Sequence, residues 1–238
     1  MAFDDEILSY QSNRAYPLPD KPWKYYQEWH DTIFLHWRAN PKALKAMLPE
    51  TLELDLYDGV AWVSLVAFSV KGMRPRSLPS ISFLSDFHEI NIRTYVKRNG
   101  IPGIYFLTIE AGKLLPAILA RLLIGVPYVT SKIKREEHQY YGSSKNGYLE
   151  LDYSVGGLIA QKSPLEIWLS ERHALFENKN DKIFRVDIHH WPWQLHQVKL
   201  RTQLTVYSAL NECVIKMKPD LIHFAPPLKI LMWGREWM

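Results

Sequence analysis

The sequence predicts an α+β domain, mainly antiparallel β, closed as a barrel or stacked as a sandwich with a few short helices. Three observations carry this. β-prone runs recur at short spacing, several with strict polar–apolar alternation. Hairpin signals separate them at Asp58-Gly59, Asn99-Gly100 and Asn180-Asp181. No βαβ alternation is present, and the glycines form no phosphate-cradling loop.

Residues 1–28, rich in Pro and aromatics through YPLPDKPWKYYQ, read as an irregular N-terminal arm, and 29–238 as one domain. TIFLHWRA (32–39) is an apolar strand. NPKALKAMLP (40–49) is a short helix, with Asn40 as cap, Pro41 in the first turn and Pro49 as terminator. LELDLYDG (52–59) alternates as a half-buried strand, 60–73 is a long strand, and the Pro/Ser segment 74–86 is a loop long enough to be a lid or a cavity rim. FHEINIRTYVKRNG (87–100) and IPGIYFLTIEAG (101–112) form the next hairpin. KLLPAILARLLIG (113–125) is a helix that Gly125 stops. Residues 127–142 and 148–157 are strands, 163–178 a short helix running into a strand, and 182–200 strand broken at Pro192. A short helix over 204–212 precedes the last strands, DLIHFAP and LKILMW.

Composition narrows the function classes. The chain has 238 residues, enough for a sizeable core, and its 29 basic and 25 acidic side chains include no block of five like charges, which argues against nucleic-acid binding. One cysteine, Cys213, excludes an internal disulfide and fits a reducing cytoplasm. MAFDDEILSY is acidic and lacks the apolar core of a signal peptide. The longest apolar run, 114–129, is interrupted by Arg121, two prolines and a glycine, so no membrane partner is expected. The aromatic share of 13% suits a core or a ligand cavity.

Three constellations carry potential chemistry. Glu89, Asn91, Arg93 and Tyr95 share one strand face. That face is either solvated or, if the strand is covered on both sides, part of a cavity whose charges must be paired or used. Arg121 sits in an apolar helix and needs a carboxylate, with Glu89, Glu110 and Glu171 as candidates, or a path to solvent. His189 and His190 lie near Glu171, but neighbours on a strand point to opposite faces, so no metal or cofactor is expected. No GxSxG elbow occurs.

Several segments together carry a family resemblance: DTIFLHWRANPKALKAMLPETLELDLYDGVAWVSLVAFSV, FHEINIRTYVKRNGIPGIYFLTIEA, LLIGVPYVTSKI, WLSERHALF and VDIHHWPWQLH. Over about 28–200 the chain resembles the uncharacterised YqjF-like proteins of the DUF2071 family, which fall in the acetoacetate decarboxylase-like superfamily. The resemblance implies a decarboxylase-like β-barrel or sandwich, an oligomer, and a site glutamate at Glu89. It equates Ala120-Arg121 with a Gly-Arg pair and Val126-Pro127 with the turn before the Schiff-base lysine. The two lysine positions of that motif are Tyr128 and Val129 here, and neither side chain forms an imine. Lys132 lies about 13 Å farther along the strand at about 3.3 Å per residue.

The expected function is therefore a small-molecule cavity, enzymatic on a carbonyl or carboxylate without imine chemistry. Glu89 and Tyr128 are its catalytic candidates, with Arg93, Arg121, Tyr95, Lys132 and Glu171 as ligand contacts. The alternatives are a non-catalytic binding or scaffold protein, and a decarboxylase- or aldolase-type enzyme using Lys132.

Overall fold

A computed structural model describes residues 3–123, 125–214 and 216–238. Helix α1 (Phe3–Ser9) precedes strand β1 (Tyr25–Ala39). After α2 (Pro41–Ala46) come β2 (Glu53–Leu54), β3 (Ala61–Pro75), α3 (Ser82–Ser85), β4 (Phe87–Arg98) and β5 (Ile101–Ala111). Helix α4 (Leu114–Leu123) leads to β6 (Val129–Thr130), β7 (Lys132–Glu136), β8 (Gln139–Ser143) and β9 (Gly147–Leu158). Next are α5 (Pro164–Ser170), β10 (Ala174–Lys179), β11 (Lys182–His189) and β12 (His196–Tyr207). Finally α6 (Ser208–Cys213) is followed by β13 (Leu221–Ala225), β14 (Leu228–Met232) and β15 (Glu236–Trp237).

Seven strands pair in the order β14-β11-β10-β5-β4-β3-β1, and β1 pairs back onto β14. This closes a barrel, antiparallel at every junction except β5–β10. Closure removes the sheet edges. The far half of β1 pairs with β13 instead, and the sheet continues through β12, β9, β8 and β7 as a second layer. The two layers enclose a core of Ile33, Leu35, Trp37, Val63, Leu65, Ile90, Ile92, Tyr140, Leu151 and Tyr153. The predicted α+β barrel class is what the chain adopts.

The turns form where the sequence puts residues that accept positive φ. Asn99 and Gly100 have φ of 50° and 77°, and Asp58 and Gly59 have 47° and 77°. These values suit tight hairpins. Asn40 caps α2 by accepting from Lys42 N and Ala43 N, and Ser163 and Glu166 form a capping box on α5.

Four expectations change. The arm does not end at 28, because β1 runs across that position and Ile7, Trp23 and Tyr26 are buried against Leu231 and Trp233. Residues 127–142 hold a β7–β8 hairpin, turned at Glu137 with φ of 36°. Over 52–59 only Glu53–Leu54 is strand. β12 extends to Tyr207, so the last helix starts at Ser208. No described helix is long and apolar enough to cross a membrane.

Candidate functional site

The barrel interior holds a narrow cavity, with about 40 Å³ open to the centres of water molecules. That is room for about three waters. Its walls are mainly apolar, including Phe34, Val66, Phe68, Ile104, Phe106, Leu175, Ile188 and Trp193. The polar groups on it are Gln27, Thr32, Glu89, Asn91, Arg93 and Tyr128. Convergent polar groups in an apolar pocket are the usual form of a ligand site.

Strand geometry places these groups. Glu89, Asn91 and Arg93 alternate on β4, and both faces of that strand are covered, so the face points into the barrel. On β1 the inward positions are 27 and 29, then 32 and 34. A register shift between His30 and Ile33, with Asp31 at φ of 52°, inserts the extra residue that switches the parity. This is a β-bulge turning Thr32 into the cavity that the polar face of β4 also lines. Tyr128 arrives by the turn after α4. Gly125 leaves the helix at φ of 89°, and Tyr128 N donates to Val126 O across Pro127. A Cβ on Gly125 would lie 3.0 Å from Arg235 and 3.1 Å from Phe184, so this position favours glycine on space as well as on φ.

Glu89 is the centre of the site. Its Oε2 accepts from Tyr128 Oη at 2.6 Å and its Oε1 from Asn91 Nδ2 at 2.9 Å. Its backbone carbonyl accepts from Tyr140 Oη at 3.0 Å, which fixes the strand. Burial pushes the Glu89 carboxyl up to about 7, against the pull of Tyr128, Asn91 and the Arg93 charge. Burial and the adjacent carboxylate hold the Tyr128 phenol well above its usual range. Arg93 lies over the Phe34 ring with its guanidinium carbon 5.7 Å from the centroid, and desolvation lowers its pKa. Among the described residues no carboxylate forms an ion pair with it, and its Nε is buried without a partner. Thr32 Oγ1, Trp29 Nε1 and Asn91 Oδ1 on the same cavity also lack partners. Buried polar atoms are ordinarily satisfied, so a cluster of free ones marks space for a polar guest.

The other expected residues lie elsewhere. Tyr95 is buried outside the cavity lining, where its hydroxyl meets Ser64 Oγ at 2.6 Å and Leu169 O at 3.1 Å. Arg121 is exposed: α4 turns its small residues Ala117 and Ala120 inward and Leu114, Leu115 and Leu122 outward. Small residues let the helix lie close on the barrel, so the arginine faces solvent. Lys132 is exposed at the start of β7. Glu171 ends α5, where it pairs with Lys162 and accepts from Trp193 N at 3.1 Å and Asn13 Nδ2 at 3.3 Å. It therefore meets the cavity through Trp193 alone. Glu171, His173 and His190 bring possible metal-donor atoms within 4.8 Å of one another, with the Lys162 ammonium already on the carboxylate. Gln27, Trp29 and Thr32 line the cavity without having been singled out from the sequence. An aromatic count does not say which rings face inward.

The chain is 32% identical over 230 residues to the "Uncharacterized protein YqjF" of Bacillus subtilis (strain 168), covering 92% of this chain and 95% of that one. Among solved structures it resembles the enduracididine biosynthesis enzyme MppR complexed with pyruvate, at a TM-score of 0.60 and 12% identity over 94% of this chain and 93% of that one. It also resembles the acetoacetate decarboxylase of Legionella pneumophila, at a TM-score of 0.57 and 15% identity, over 100% of this chain and 96% of the other. The strand order and the closed barrel thus agree with an acetoacetate decarboxylase-like fold. Residues 26–229 match the family described as "Uncharacterized conserved protein (COG2071)", and the chain belongs to this family, DUF2071.

Proposed function

We propose that the barrel cavity binds a small carboxylate- or carbonyl-bearing molecule and that Glu89 exchanges a proton with it, without an imine intermediate. The observation that carries this is the Glu89–Tyr128 pair beside a buried Arg93 whose Nε has no partner. Arg93 supplies the charge for a carboxylate, and its orphan Nε a hydrogen bond. A carboxyl whose pKa lies near 7 is suited to general acid–base work near neutrality. Its protonation also changes what Tyr128 offers. Charged Glu89 takes the phenol proton as a hydrogen bond. Neutral Glu89 donates to the phenol oxygen instead, which frees the Tyr128 O–H for a ligand carbonyl. The narrow space bounds the ligand to a few heavy atoms. The pyruvate complex of MppR is consistent with a ligand of that class in this fold. Among the described residues no lysine lines the cavity, and Lys132 is exposed.

The test is a thermal-shift titration of the whole chain with pyruvate and with acetoacetate. Binding to the folded state raises Tm by mass action. The rise is expected in the wild type and lost in Arg93→Met. Equal shifts in both proteins, or none in either, would overturn the reading, as would a borohydride-trapped adduct of acetoacetate on any lysine. A non-catalytic binding protein that kept the fold is the second reading, favoured by a cavity lining that holds no lysine, cysteine or serine among the described residues. Loss of substrate signal by NMR, absent in Glu89→Gln, separates the two.

A further inference from the structure

The outward face of α4 and the segment leading into α3 carry an apolar surface that the barrel does not use. Leu114, Leu115, Ile118 and Leu122 point to solvent from α4, and Leu78, Ile81 and Phe83 from the 76–85 segment. Phe83 is 68% exposed and Leu122 67%. The two helices pack against each other, so these side chains belong to one patch. Single exposed leucines need no explanation, but seven large apolar side chains on α4 and the adjoining 78–83 segment mark an interaction surface.

Charge says what covers it. The segments 71–85 and 113–135 hold eight of the chain's 29 Lys and Arg and none of its 25 Asp and Glu. They therefore account for more than the whole net charge of +4, and the rest of the chain is net acidic. Among the described residues, Arg135 is the one of these eight in an ion pair, with Asp31 at 3.5 Å. Lys71 and Lys113 line one surface cleft at the root of α4 together with Asp86, whose Oδ1 is taken by Gly72 N and Ser85 Oγ, and Arg121 shares the exposed face with Ile118 and Leu122. Apolar side chains flanked by unpaired cations fit the interface of an anionic bilayer, where the leucines enter the acyl boundary and the cations meet the head groups. A second copy of this chain would bring two such cationic faces together.

We infer that the α3–α4 face docks the protein on anionic lipid, peripherally and without any spanning segment. Docking would set α4, and the Gly125–Tyr128 turn that follows it, against the membrane. The cavity wall that Tyr128 provides would then lie near the lipid surface.

Flotation of the whole chain with vesicles tests this. With equimolar phosphatidylglycerol and phosphatidylcholine the protein is expected in the floating fraction. With phosphatidylcholine alone it is expected to stay behind, and added salt should weaken binding. Leu115→Glu with Leu122→Glu is expected to cut vesicle partitioning about tenfold or more at unchanged Tm and monomer mass. If that variant misfolds, Lys71→Gln with Lys113→Gln and Arg121→Gln serves instead, with about tenfold loss on the anionic vesicles. Equal binding to both vesicle types, or no binding to either, would overturn the proposal. So would a dimer in sedimentation that Leu115→Glu with Leu122→Glu dissolves.

Discussion

Arg93 and Arg172 are both more than nine-tenths buried, and Tyr95 lies between them, yet the protein treats the two charges differently. Arg172 has a carboxylate partner and further contacts, although its Nη2, like Arg93 Nε, is buried without a hydrogen bond. Its Nη1 meets Asp55 Oδ2 at 2.7 Å, its Nε donates to Trp168 O at 2.7 Å, and its guanidinium lies 4.1 Å above the Trp168 ring. Asp55 takes Lys97 on its other oxygen at 2.7 Å. Arg93 stands on a cavity over Phe34, with Nε free and Glu89 committed to Tyr128 and Asn91. A buried cation with a carboxylate holds the α5 end to the β2 segment. A buried cation with open space beside it costs stability and is available to a ligand.

The largest expected effect comes from breaking the satisfied pair. Arg172→Ala leaves Asp55 buried, with only the half-exposed Lys97 beside it, and should cost about 3–5 kcal/mol in urea unfolding. Arg93→Met should cost less than Arg172→Ala, about 1 kcal/mol or under, because it removes a desolvated charge that has no carboxylate in contact and leaves an apolar chain among apolar walls. If the two variants lose stability equally, the distinction between a clamp and a site fails.

Glu89 gives the second test, through pH. Its folded pKa of about 7 is raised above the ordinary carboxyl value of 4.5, so the native state holds the proton more tightly than the unfolded chain. Stability from this group is present below about 4.5 and lost as pH rises through 7. Glu177, buried on β10 and pushed up to about 8 by desolvation, adds a loss in the same direction. Glu89→Gln should therefore be about 3 kcal/mol more stable than wild type at pH 8 and equal to it at pH 4, as read from unfolding curves at both values. A constant difference across that range would mean that Glu89 does not titrate there.

How much of this contrast the sequence makes legible depends on how local its cause is. The hairpins at Asp58-Gly59 and Asn99-Gly100 follow from two residues that accept positive φ. The Glu89–Asn91–Arg93 face follows from a period of two, once both sides of β4 are known to be covered. Thr32 is not legible, because its direction is set by a bulge at Asp31 that no glycine announces. Arg121 misleads because an apolar helix does not say which face goes in. Ala117 and Ala120 decide it, through close packing against a barrel that exists only in three dimensions. Glu171 misleads for a similar reason, since its partner Lys162 comes from the loop before α5.

A smaller effect tests how Tyr128 tunes Glu89. Tyr128→Phe deletes the hydrogen bond that favours the charged carboxylate. Such bonds are worth about 1.5–3 kcal/mol, so the Glu89 pKa should rise by roughly one to two units. Carboxyl chemical shifts of labelled glutamate, followed against pH, read this directly. An unchanged titration would remove Tyr128 from the site and leave it as wall.

The smallest expected effect belongs to Lys132. It begins β7, where Lys132 pairs with Ser143 across the hairpin and its side chain is in solvent. A lysine that forms imines near neutrality needs burial or a neighbouring cation to hold its amine unprotonated. Lys132 is exposed and is not part of the cavity lining. Lys132→Ala should therefore change stability by less than about 0.5 kcal/mol and leave the pyruvate-induced thermal shift unchanged. If the shift disappears in this variant while Arg93→Met keeps it, the ligand sits at the hairpin. The charge contrast between Arg93 and Arg172 would then describe packing alone.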